Sequence, residues 1–96
     1  MRRRFHPLAI DELDAVVAYY EERREGLGLE FAREVELVIA RIAEHPFAGR
    51  GLSRHTRRCL VNRFPYGVIY RVESDALWIV AVANLQRRPG YWKSRL

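Results

Sequence analysis

Between Leu29 and Glu44 the apolar residues Phe31, Val35, Val38, Ile39 and Ile42 recur at offsets 0, 4, 7, 8 and 11. That spacing lines one face of an α-helix and is the strongest periodic signal in the chain. Leu13, Val16, Val17 and Tyr20 predict an earlier helix over about Leu8–Arg24. Asp11, Glu12 and Asp14 are expected in its first turns, where carboxylates complement the helix dipole. Gly26-Leu27-Gly28 separates the two, short enough to make them an antiparallel hairpin. His6-Pro7 sets off a short N-terminal strand, Arg2–Phe5, and His45-Pro46 closes the second helix, because the residue before proline avoids helical dihedrals.

Residues 46–56 read as a loop, and beyond them the period changes to two. Strands are predicted over Arg58–Asn62, Tyr66–Val72 and Leu77–Ala83. Val68, Tyr70 and Val72 share a face of the second, and Glu73-Ser74-Asp75 is the turn into the third. The unbroken apolar run of the third suits a central strand buried on both faces. The expected fold is a single α+β domain over 1–96. Its order is β-α-α-β-β-β, an antiparallel sheet with a helical hairpin packed on one face.

The chain has 96 residues and a net charge of +5. Residues 6–45 carry ten acids and four Lys/Arg, while the rest carries two acids and thirteen Lys/Arg. An acidic helical block and a basic strand-and-tail block follow. Either the two neutralise each other in the fold, or the basic block faces an anion such as RNA, DNA or an acidic protein. Cys59 is the single cysteine, so neither an internal disulfide nor a cysteine metal cluster can form. No apolar run follows Met1–Arg4 as a leader peptide requires, and none is long enough to span a bilayer. A cytoplasmic location is expected. His6 and His45 each precede a proline at a helix boundary, a structural setting, and His55 sits in a basic loop whose cations disfavour its protonated form. A two-histidine ribonuclease arrangement is therefore the less favoured reading. No catalytic residue, metal ligand or cofactor site is assigned.

Several local motifs add to this element order. They are Phe5-His6-Pro7, Tyr19-Tyr20-Glu21, Gly28 with Phe31, His45-Pro46 with Gly49, the run Val61–Val72 containing Arg63-Phe64-Pro65-Tyr66, Ala81-Val82-Ala83, and Arg87-Arg88-Pro89-Gly90-Tyr91-Trp92. Together they resemble the RelE/ParE toxin superfamily over nearly the whole chain, and its ParE-like plasmid stabilisation branch in particular. The resemblance implies the toxin of a bacterial type II toxin–antitoxin pair, a growth inhibitor held inactive by a cognate antitoxin. One branch of the superfamily poisons DNA gyrase, and another cuts mRNA in the ribosome. Members of the ParE-like branch often carry His where this chain has Asn84, and an amide cannot exchange a proton near neutral pH.

Ribosome-dependent cleavage needs a proton acceptor and cations around the scissile phosphate. The basic residue that a nuclease would present after Tyr66 is Gly67 here, so that cluster looks incomplete. Gyrase poisoning asks only for a basic surface with aromatic anchors. The candidate target-binding residues are Arg87, Arg88, Tyr91, Trp92, Arg63 and Arg58, with Tyr91 and Trp92 equally suited to fastening the tail under the sheet. Tyr19 and Tyr20 are candidates for antitoxin contact, or else close the hairpin core. A non-toxic basic module that binds nucleic acid or protein is the third reading.

Overall fold

The apolar stripe of the second helix becomes the centre of the core. A computed structural model describes residues 1–96. Its elements are β1 (Arg2–Phe5), α1 (Pro7–Arg23), α2 (Leu27–Glu44), β2 (Arg50–Gly51), β3 (Arg57–Leu60), β4 (Tyr66–Glu73), β5 (Ala76–Asn84) and a final 3-10 turn, Lys93–Arg95. No helix is long and apolar enough to cross a membrane.

Phe31, Val35, Val38, Ile39 and Ile42 of α2 are almost wholly buried against Val68, Tyr70, Leu77, Ile79 and Val82 of the sheet. Tyr20, Phe31, Phe64 and Tyr66 form an aromatic group at one end, with Phe31 5.1 Å from the Phe64 ring and 5.2 Å from that of Tyr66. Burying one such ring contributes roughly 1.5–3 kcal/mol. The loop after α2 is tied to this core by Tyr70, whose hydroxyl donates to the Pro46 carbonyl at 2.7 Å and accepts from the Gly49 N–H at 3.1 Å. Burial raises the pKa of that hydroxyl.

The strand order is β1-β5-β4-β3-β2. The meander β3-β4-β5 is antiparallel as expected. Two features differ from the sequence reading. β1 pairs with β5 in parallel, so the sheet is mixed. A parallel neighbour needs a long crossover, and the segment from α1 to β4 supplies it. Arg50–Gly51 adds a two-residue edge strand inside the predicted loop, too short for any periodic signal. A third correction concerns α1. His6 caps it, its Nδ1 accepting from the Leu8 N–H at 3.1 Å, but the first turn carries no acid. Glu12 is engaged elsewhere.

β5 also breaks its own alternation. Ile69 pairs with Ala81 and Tyr70 with Ile79, leaving Val80 as an extra residue in a bulge. Leu77 and Ile79 therefore face the helices, Val80 and Ala81 both face away, and Val82 faces the helices again.

Candidate functional site on the open sheet face

Paired residues on neighbouring strands share a face. Arg3 points toward α2 and meets Glu36. Arg4 points the other way, its guanidinium 5.1 Å above the Trp78 ring. Trp78 pairs with Arg71, Ile69 with Arg58, and Arg58 with Arg50. The face without helices thus presents one arginine from each of β1, β4, β3 and β2. Only Arg71 among these four has a carboxylate partner, Glu73.

The tail after β5 folds across part of this face. Asn84 starts the turn, its Oδ1 accepting from the Gln86 N–H at 2.8 Å, and its carbonyl accepts from the Arg87 N–H. Pro89-Gly90 makes a second turn, with Gly90 at φ 79° and the Tyr91 N–H reaching the Arg88 carbonyl. Trp92, 4% exposed, packs with Ile69, Val80, Ala81 and Ala83.

A carboxylate from α1 pins the tail. β1 ends opposite Ile79, leaving the β5 edge uncovered beyond it. Glu12 reaches that edge and accepts from the Val82 N–H at 3.0 Å. Arg95 donates to both Glu12 oxygens at 2.9 Å, a bidentate pair, and to the Val80 carbonyl of the bulge at 3.1 Å. The Tyr91 hydroxyl donates to Glu12 at 2.8 Å. Burial, then the Glu12 bond, push the Tyr91 pKa up to about 12. The Arg87 guanidinium lies 3.7 Å from the Tyr91 ring centre.

Between tail and sheet lies a pocket of about 230 Å³. Its charged lining residues are Arg58, Arg87, Arg88 and Lys93, and no carboxylate lines it. Arg87 is the one of the four in contact with an acid, Glu12 at 3.5 Å. The Arg58 stem lies flat over Gly67, where a Cβ would stand 2.9 Å from both Cγ and Cδ. The Arg58 Nε is buried without a hydrogen-bond partner.

The fold therefore gathers Arg58, Arg87, Arg88, Tyr91 and Trp92 into one region. Trp92 lines the pocket from below but is buried, which is the tail-fastening role given as its alternative. Arg63 lies apart, in the β3–β4 turn, held by Glu30 at 2.7 Å and Glu34 at 3.7 Å on α2. That hydrogen bond lowers the Glu30 pKa. Tyr20 belongs to the aromatic group, whereas Tyr19 is exposed with Arg23 stacked on its ring. Sequence reasoning did not single out Glu12, Lys93 or Arg95 as site residues, and it read Gly67 only as a missing basic side chain. A glycine inside a strand is a signal of close approach, and it was the one clue available.

A helical hairpin on a five-stranded mixed sheet, with a basic open face, is a RelE/ParE-like α+β architecture. A sequence model described as "ParE toxin of type II toxin-antitoxin system, parDE" matches residues 3–89, and the chain belongs to that family. The fold also matches a chain of the chromosomal ParDE TA system from P. aeruginosa, with a TM-score of 0.73 and 19% identity, over 88% of this chain and 95% of that one. No curated protein matches in sequence.

Proposed function

We propose that this ParE-family protein inhibits DNA gyrase through its open sheet face and that a cognate antitoxin, made alongside it in the cytoplasm, neutralises it. The observation that carries this reading is the pocket of four cations without a carboxylate, Arg58 among them, set on a face that bears three further arginines, Arg50, Arg71 and Arg4. Such a surface grips an enzyme–DNA intermediate by charge, with no bond made or broken by the toxin. The basic face favours an acidic antitoxin segment that orders on binding. Exposed Tyr19 remains a candidate contact for it.

The chemistry for mRNA cleavage is thin at the same place. Asn84 spends its side-chain oxygen on a turn, and Gly67 presents no side chain at all. Tyr91, at about 12, holds its proton toward Glu12 and is a poor base near neutral pH.

Inducible expression in bacteria that lack the antitoxin tests the proposal. Growth arrest with gyrase covalently trapped on DNA is the expected result, relieved by co-expressing the antitoxin. Arrest with mRNA cut in the ribosomal A site would replace it with the nuclease reading. Harmless expression would favour the non-toxic binding module.

A further inference from the structure

We infer that the pocket over Gly67 is a built phosphodiester site, which takes one backbone phosphate of a nucleic acid that runs across the sheet. The inference rests on the proposed function for the source of the phosphate, gyrase-bound DNA, but not for the binding itself.

Three observations carry it. First, the pocket holds three guanidiniums and an ammonium with no carboxylate among its lining residues. Four like charges at one pocket, of which only Arg87 has an acid nearby, favour the entry of an anion. Second, the site is shaped by the backbone. Gly67 lets the Arg58 stem lie against the sheet, and Gly90, at φ 79°, lets the Lys93 stem fold back over the tail turn, where a Cβ would stand 3.0 Å from its Cε. Neither cation is placed by an acid. The Arg58 Nε has no protein acceptor, so its donor fork is not committed elsewhere. Third, the cations continue beyond the pocket. Arg50, Arg58, Arg71 and Arg4 stand on β2, β3, β4 and β1 in that order across the face. A polyanion crossing the strands meets a guanidinium on four of the five. An acidic peptide could use the charge. It gains less from a small pocket lined by four cationic side chains, where the oxygens of one phosphate can accept from several donors.

Gly67→Ala is the decisive variant. The added Cβ conflicts with the Arg58 stem alone, since its next neighbour is at an ordinary 3.5 Å, and the net charge does not change. The purified toxin is titrated with a short thymidylate oligonucleotide, inorganic phosphate and polyglutamate, with NMR signals of the arginine Nε–H groups and the Gly90 amide as the readout. The oligonucleotide is expected to bind most tightly, and phosphate to move the same signals more weakly and compete. Gly67→Ala and Arg58→Met should each weaken oligonucleotide binding about tenfold, the loss of one charge-assisted contact. Arg33→Met, on the exposed side of α2, should change it less than about twofold.

Equal binding by a folded Gly67→Ala protein would overturn the built site. Phosphate binding as tight as the oligonucleotide would assign the pocket to a free anion, and tighter polyglutamate binding would assign it to an acidic protein. Either result would overturn the nucleic-acid assignment. Loss of phosphate binding with gyrase trapping intact would remove this inference alone. Binding without trapping would remove the gyrase proposal alone.

Discussion

The two faces of one sheet are closed by opposite means. Toward the helices, strand residues meet a continuous hydrocarbon layer whose centre, from Phe31 to Tyr70 and Ile79, is almost wholly buried. On the other face Trp92 of a short tail covers only four buried sheet residues, and one carboxylate from α1 ties the tail down beside it. The difference separates stability from recognition. A face held by apolar area tolerates few changes but presents no chemistry. A face closed by one buried indole and one polar link can carry cations at its surface, at the cost of depending on few contacts.

The largest effect should come from breaking the apolar side. Phe31→Ala removes a fully buried ring from the aromatic group, and a loss of about 3–5 kcal/mol is expected in urea unfolding. A loss under about 1 kcal/mol would mean that the helix face is not the main source of stability.

Glu12→Ala comes next. The side chains of Glu12 and Arg95 are only 15% and 8% exposed, and removing one partner of so buried a pair strands the other. A loss of about 3 kcal/mol is expected. Limited proteolysis should then cut the tail near Arg87 and Arg88, where the parent protein resists. A tail that stays protected would show that Trp92 alone suffices to hold it.

Alkaline pH loosens the same link more gently. Tyr91 titrates near 10 when unfolded and at about 12 in the fold, so the folded state holds that proton more tightly. Its contribution is complete below pH 10 and fades as pH rises from 10 to 12. Thermal unfolding across that range should show a steeper fall for the parent protein than for Tyr91→Phe. Parallel curves would contradict the assignment.

The smallest effect belongs to Arg63. Its bond lowers the Glu30 pKa, so the stabilisation is present above the ordinary carboxylate value and is lost as pH falls through the lowered one. Both side chains are exposed enough for salt to screen them. Arg63→Ala should shift the melting temperature slightly at low salt and not at all at high salt. A shift that survives high salt would show a packing role instead.

What could be read from the chain divides along the same line. The stripe Phe31–Ile42 faces the core because a helical period admits one buried face, and the predicted strand at Tyr66–Val72 matches β4 to within a residue. The partner of β1 could not be read, since Arg2–Phe5 carries no mark of direction. The bulge at Val80 was silent because the run around it is apolar on both faces. On the open face Arg87, Arg88 and Tyr91 stood out as a cluster in sequence. Glu12 did not, because a carboxylate on a helix looks solvated when its partners Tyr91 and Arg95 lie 79 and 83 residues away.

We propose that the basic open face, not the helical layer, stops growth. Toxicity and trapped gyrase scored together for two matched double variants test it most directly: Arg87→Ala with Arg88→Ala on the tail, and Arg33→Ala with Arg41→Ala on α2. The first pair, folded and expressed at parental levels, is expected to let cells grow without trapped gyrase, while the second kills as the parent does. Survival with the α2 pair and killing with the tail pair would place the toxic surface on the other side of the molecule.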